Sequence, residues 1–168
     1  ILATARELAY QLTHAEVDVL VFEPKYRDRD FVVILADAAR EHGLDPLPKY
    51  IPVDDVPPGA MSFTDLVEYG SRVDNDTLAA AQSAIEPGDT ACILYTSGST
   101  ALPKGVPLYH SGLIDNMWSI GERQHLTPDD RLWLAVSLFW SYAGVNALFT
   151  MMTHGASIVL QHHFEPGE

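Results

Sequence analysis

Apolar positions recur along the chain with two alternating periods, and the alternation predicts helices and strands in turn. Ala5, Leu8, Ala9 and Leu12 fall at helical spacing and predict a helix over 4–14. Residues 18–22 read as a short buried strand. Residues 28–42 admit two readings. A strand over 31–35 fits the local apolar run. Phe31, Leu35, Ala38 and Ala39, ending at Gly43, favour a helix with a glycine stop. Residues 50–53 read as a short strand, and Pro52 suggests an edge. Prolines, a glycine and two aspartates make 53–60 a loop. A short helix over 62–70 is predicted, capped by Ser62 with Asp65 in its first turn.

The second half repeats the alternation more tightly. Residues 90–95 read as a buried strand, 96–105 as a loop and 106–109 as a short strand. Leu113, Ile114, Met117 and Ile120 share one side of a predicted amphipathic helix over 111–124. A strand is predicted over 132–136. Val145, Leu148, Phe149 and Met152, at i, i+3, i+4 and i+7, predict a helix over 145–153 that stops near Gly155. A last strand is predicted over 157–160. Strands alternating with helices place the chain in the α/β class, with layered, largely parallel sheets. No internal repeat or low-complexity tract interrupts the pattern.

Composition narrows the function classes. The chain has 168 residues and is 47% hydrophobic and 20% charged, which suits a packed core rather than a disordered acidic tail. Ten basic against 23 acidic residues give a formal charge of −13, which argues against nucleic acid as a partner. The single cysteine, Cys92, excludes a disulfide framework within the chain and fits a reducing compartment; a cytoplasmic location is expected. The longest apolar runs, such as 31–36, are far shorter than the roughly 20 residues that span a bilayer. No transmembrane segment or signal peptide is expected. The opening Ile1-Leu2-Ala3 reads as the middle of a longer protein.

The loop over 96–105 is where chemistry concentrates. It follows an apolar strand and holds Thr96, Ser97, Ser99 and Thr100, with Gly98, Gly105 and Lys104. Backbone N–H groups in a small-residue turn converge on phosphate oxygens, hydroxyls add donors, and lysine supplies a compact positive charge. Lys104 is the only lysine after Lys49, and residues 51–100 carry eight acidic residues against one base, Arg72. A solvated Ser/Gly surface loop is the competing reading. The pattern is not the common phosphate loop, because Gly105 rather than Ser or Thr follows Lys104.

Residues 95–106, Tyr-Thr-Ser-Gly-Ser-Thr-Ala-Leu-Pro-Lys-Gly-Val, resemble the phosphate-loop signature of the adenylate-forming (AMP-binding) superfamily. That superfamily comprises acyl-CoA synthetases, firefly luciferases and adenylation domains of peptide synthetases. Ala101 stands where many members carry glycine. Residues 5–12, 126–131, 137–144, 154–156 and 164–166 also resemble family segments, so the likeness covers nearly the whole chain.

The resemblance implies a fold and a reaction. The fold is the acyl-CoA synthetase N-terminal domain. Residues 1–168 would be part of it, incomplete at both ends and without the C-terminal domain. The reaction joins a carboxylic acid to ATP, with Mg2+, as an acyl-adenylate, and then passes the acyl group to coenzyme A. By carry-over, Thr96, Ser97, Gly98, Ser99, Thr100 and Lys104 grip the ATP phosphates, and Lys104 and Thr100 are the expected catalytic residues. Phe139, Trp140, Ser141 and Gly144 align with the acyl pocket. Tryptophan stands at 140 where many acyl-CoA synthetases carry histidine. No aspartate is present there to hold an amino-acid ammonium, so a fatty or aryl acid is expected. Two alternatives remain: a non-catalytic module that binds nucleotide or a partner, and a ligase that loads a carrier protein. The isolated chain is expected to be inactive, and cut sheet edges are compatible with oligomers.

Other residues carry less. His162 and His163 point to opposite faces if on a strand and complete no metal site, and no metal site is expected. Trp140 as ordinary core is the alternative to its pocket role. His110 matches a frequent family histidine that opens the next helix, and a structural role is expected. Ser141 and Tyr142 lack a histidine base at known spacing. Asp54-Asp55 and Asp129-Asp130 read as solvated turns, and Cys92 as inert core.

Overall fold

A computed structural model describes residues 3–54, 56, 60–96 and 102–161. Two compact units divide the chain: Ile1–Ile85 with Tyr95–Gly105, and Glu86–Leu94 with Val106–Glu168.

The first unit begins with α1 (Ala5–His14). Its start is a capping box: the Glu7 N–H donates to Thr4 Oγ1 at 3.3 Å, and the Thr4 N–H donates to Glu7 Oε2 at 2.9 Å. Strands β1 (Val19–Phe22), β2 (Lys25–Tyr26) and β3 (Arg29–Asp30) follow. The ambiguous segment is helix α2 (Phe31–His42). Two local signals decide it. Asp30 accepts the Val32 and Val33 N–H groups at 3.0 and 3.1 Å, and Gly43 takes the left-handed C-cap at φ 68°. Strand β4 (Lys49–Pro52) pairs in parallel with β1, Val19 beside Lys49 and Phe22 beside Pro52. Ala9 and Leu12 of α1 pack with Leu35, Ala38 and Leu44 as the core of this unit, and Leu8, Val17, Leu20 and Tyr50 lean on it.

Helix α3 (Phe63–Gly70) has the predicted Ser62 cap, with Asp65 closing the capping box. Helix α4 (Asn75–Ser83), unanticipated from the pattern, is capped by Asp74, which accepts the Thr77 N–H at 2.7 Å. Neither α3 nor α4 buries a residue.

Strand β5 (Thr90–Thr96) pairs with β6 (Lys104–Tyr109). Helix α5 (His110–Gln124) has no side-chain cap. The carbonyls of Asp89 and Pro87 accept the His110 and Ser111 N–H groups at 3.1 and 2.9 Å instead. Strand β7 (Arg131–Leu134) pairs in parallel with β8 (Ser157–Leu160), with Trp133 beside Val159. Between them lie a π-helix (Tyr142–Ala147) and α6 (Leu148–Thr153). One core of the second unit joins Leu113, Met117 and Val145, with Cys92 half-buried against it. Another joins Leu134, Ala143 and Ala147.

Among the described residues the sheets are four two-stranded pieces, with β1–β4 and β7–β8 parallel and β2–β3 antiparallel, so the α/β fold is mixed. Four other expectations are corrected. Strands β1 and β5 are not buried: Val19 and Val21 leave one side of β1 open, and Thr90, Ile93 and Thr96 are exposed along β5 with the residues between them half-buried. The loop over 96–105 is shorter than predicted, since Thr96 ends β5 and Lys104 begins β6. The helix over 145–153 starts as a π-turn, which carries more residues per turn than an α-helix and shifts the phase by about one residue. Met151 and Thr150 therefore face inward, and Met152 is 60% exposed. Ile114, expected inside, is also exposed. No helix among the described residues is long and apolar enough to cross a membrane.

Candidate active site

The loop expected to bind nucleotide falls partly outside the described residues. Ser97, Gly98, Ser99 and Thr100 lie there, as does Ala101. Its two ends are described. Thr96 is the last residue of β5 and Lys104 the first of β6; both are exposed, and the strands pair. No ion pair holds Lys104 among the described residues. Its charge is therefore open to an anion, within a stretch otherwise acidic.

The residue before Thr96 is tied to α1. Tyr95 Oη lies 2.8 Å from His14 Nδ1 and donates to the Gln11 carbonyl at 3.4 Å. Tyr10 meets the Tyr95 ring edge-on at 6.3 Å, and the His14 ring lies 5.8 Å away, also edge-on. Tyr10 and His14 are one helical turn apart, with centroids at 5.1 Å. Burial pushes the Tyr95 phenol up, and Tyr10 adds to it. The phenol stays protonated and available as a donor.

The predicted acid pocket is an open turn. After β7, the Trp140 N–H donates to the Ser137 carbonyl at 3.1 Å and the Phe139 N–H to Ser137 Oγ at 3.3 Å. Phe139 and Trp140 stack edge-to-face at 5.5 Å and are 59% and 58% exposed. Trp140 is thus not ordinary core. Ser141 is exposed, and Gly144 is half-buried. The Gly144 N–H donates to the Trp140 carbonyl at 2.8 Å. A Cβ on Gly144 would run into the Leu138 carbonyl oxygen, so glycine lets the π-helix sit directly against the turn. A cavity of about 200 Å³ in the same unit is lined by Gln124, Arg131, Tyr142, Asn146, Thr150 and Met151. None of Phe139, Trp140, Ser141 and Gly144 lines it.

Of the remaining residues, His110 opens α5 as expected. Asp130 accepts the Thr127 N–H at 2.7 Å and its hydroxyl at 2.9 Å, which closes the turn before β7. His162 and His163 lie outside the described residues. Among the described residues no three His, Cys, Asp or Glu side chains converge as metal ligands.

Two arrangements were missed in the sequence. The His14–Tyr95 contact joins residues 81 apart, which no periodicity pairs. His154 is buried, stacked on Trp118 at 4.7 Å, with Nδ1 3.1 Å from the Thr150 carbonyl and Nε2 3.4 Å from Glu122 Oε1. Its only signal was a His-Gly pair after an apolar helix.

The chain is similar to known proteins. Residues 2–167 match the family described as AMP-binding enzyme. Acyl-CoA ligase sidI of Beauveria bassiana is 30% identical over 156 residues, 93% of this chain and 27% of that protein. 4-Coumarate–CoA ligase 1 of Solanum tuberosum is 31% identical over 134 residues, 77% of this chain and 24% of that protein. The chain thus spans about a quarter of the length of these relatives. Among solved structures, ATP-bound MatB from Rhodopseudomonas palustris matches with a TM-score of 0.64 and 28% identity, covering 98% of this chain and 29% of its own. The anthranilate CoA ligase AuaEII, solved with anthranoyl-AMP, shares the fold with a TM-score of 0.69 at 22% identity, over 98% of this chain and 29% of its own. With the hydroxyl-rich motif between two paired strands and a family match over nearly every residue, this chain belongs to the AMP-binding enzyme family.

Proposed function

We propose that the full-length protein carrying this chain is an ATP-dependent acid–thiol ligase acting on a fatty or aryl carboxylic acid. The observation that carries this reading is Lys104. It is an exposed ammonium without an ion pair among the described residues, at the head of β6, the strand that pairs with the one ending at Thr96. The acyl-CoA ligases among the relatives and the ATP-bound MatB structure support it.

In this reading Lys104 and Thr100 are the catalytic residues, and Thr96, Ser97, Gly98 and Ser99 complete the phosphate grip. A carboxylate oxygen of the acid attacks the α-phosphorus, the α–β bridging bond breaks, and pyrophosphate leaves with its electron pair. Lys104 holds the phosphates against drift and offsets their charge, which is positioning and electrostatic stabilisation rather than covalent work. The thiol sulfur of coenzyme A then attacks the acyl carbon, and AMP departs. Mg2+ bound to the nucleotide would neutralise further phosphate charge. Such an ion takes one or two protein carboxylates beside phosphate oxygens and waters. Phe139, Trp140, Ser141 and Gly144 form the face that meets the acid. The two exposed rings suit an apolar chain or an aryl group, and no acidic group sits between them to bind an ammonium.

Pyrophosphate exchange by the full-length protein across a panel of acids tests the reading. Exchange with fatty or aryl acids, followed by thioester formation on coenzyme A, is the expected result. Thioester formation only on a phosphopantetheinyl carrier protein would replace coenzyme A as acceptor. ATP binding without exchange on any acid would favour the non-catalytic module.

A further inference from the structure

We propose that His14 is a positioning residue for nucleotide binding, holding the Thr96 end of β5 through its hydrogen bond to Tyr95. The assignment rests on the reading of residues 96–104 as the nucleotide loop.

Three observations support it. First, the hydroxyl of Tyr95 is aimed at the last turn of α1. It lies 2.8 Å from His14 Nδ1 and donates to the Gln11 carbonyl at 3.4 Å. Packing alone would need only a phenyl ring here, since Tyr10 already meets the Tyr95 ring edge-on. Second, the support is rigid. Helix α1 is fixed at its start by the Thr4–Glu7 capping box and along its length by Ala9 and Leu12 in the core of the first unit. His14 stands on that scaffold one turn beyond Tyr10. Third, the tie lands where it matters. Tyr95 immediately precedes Thr96, where β5 ends, and the strand pairs with the one that Lys104 begins.

The tie is satisfied in either direction. A neutral imidazole with Nδ1 unprotonated accepts from the phenol. An imidazole carrying a proton on Nδ1 donates to the phenol oxygen, and the phenol proton then goes to the Gln11 carbonyl. In both cases the end of β5 is held at a set distance from α1. A phosphate-binding segment that starts from a fixed point loses less freedom when nucleotide binds.

The test is steady-state pyrophosphate exchange and calorimetric ATP binding, on the full-length protein, for four variants. Tyr95→Phe keeps the ring and removes the hydroxyl. His14→Ala removes the imidazole. His14→Asn places an amide near the position of Nδ1. The fourth combines His14→Ala with Tyr95→Phe. Tyr95→Phe and His14→Ala should each raise the KM for ATP about fivefold, as loss of one neutral hydrogen bond predicts, and leave the acid KM within about twofold. The double variant should be no worse than Tyr95→Phe alone, and His14→Asn should recover most of the loss. If His14→Ala fails to fold, Tyr95→Phe still reads the contact. An unchanged KM for ATP with a lowered melting temperature, or additive effects in the double variant, would overturn the assignment and leave the ligase reading intact. A wild type that neither exchanges pyrophosphate nor binds ATP would overturn the ligase reading, and this assignment with it.

Discussion

The Leu138 carbonyl oxygen occupies the space that a side chain at Gly144 would need. The contact locks the turn bearing Phe139 and Trp140 onto the first turn of the π-helix, and the Gly144 N–H adds a bond to the Trp140 carbonyl at 2.8 Å. Gly144→Ala must push one backbone away from the other. The expected cost is about 1–3 kcal/mol of stability, as for other overpacked sites. A melting temperature equal to that of the wild type would show that the turn yields freely. In the full-length protein the same variant should shift acid preference more than the KM for ATP.

Trp140 is more than half exposed, so its removal should leave stability within about 0.5 kcal/mol. Acid preference is the property expected to change. Trp140→Ala should redistribute pyrophosphate exchange among fatty and aryl acids at a nearly constant KM for ATP. An unaltered ranking of acids would remove Trp140 from the acid site.

Lys104 supplies a charge that no described residue pairs. Lys104→Ala in the full-length protein should weaken ATP use by about 10- to 100-fold, the effect of losing one charge-assisted contact. Fold stability should not follow, since the side chain is exposed. Unchanged exchange kinetics would end its assignment to the phosphates.

The capping box of α1 gives the protein an acid-sensitive contribution. The Thr4 backbone N–H, and then its hydroxyl, hold the Glu7 carboxyl below the usual 4.5. A carboxylate with a lowered folded pKa stabilises fully above 4.5, and that share is lost as pH falls through the folded value. Thr4→Ala should cost about 1 kcal/mol at neutral pH. It should also flatten part of the decline in stability below pH 4.5, the hydroxyl's share, while the backbone N–H keeps the rest, read as urea midpoint against pH. A variant whose midpoint falls with acid as steeply as the wild type would place the pH dependence elsewhere.

Local chemistry made much of the fold legible. Ser62 and Asp65 announced α3, and Gly43 settled α2 against a strand, because caps and left-handed stops are written in adjacent residues. Helix α4 escaped, since Leu78 is the one large apolar residue among its alanines and polar residues and no stripe forms. The π-helix escaped because the period of 3.6 has no place for its wider turn, which put Met152 outside and Met151 inside. At the site, residue types alone marked Thr96 and Lys104. The anchor behind them, His14 on Tyr95, depends on an encounter between distant parts of the chain that no local pattern records.

Helices α3 and α4 have eight and nine residues and bury none of them. Segments this short are marginal in water without tertiary packing, and here the caps at Ser62 and Asp74 are their main support. Their opening exposes no buried residue of their own. Amide protons from 63 to 83 should exchange faster with deuterium than those of α1 and α2, and limited proteolysis should cut there first. Equal protection across the two pairs of helices would show a support that the caps do not supply. The segment that leads into the strand ending at Thr96 is thus a seam where this chain comes apart by pieces, while the scaffold that carries His14 stays folded.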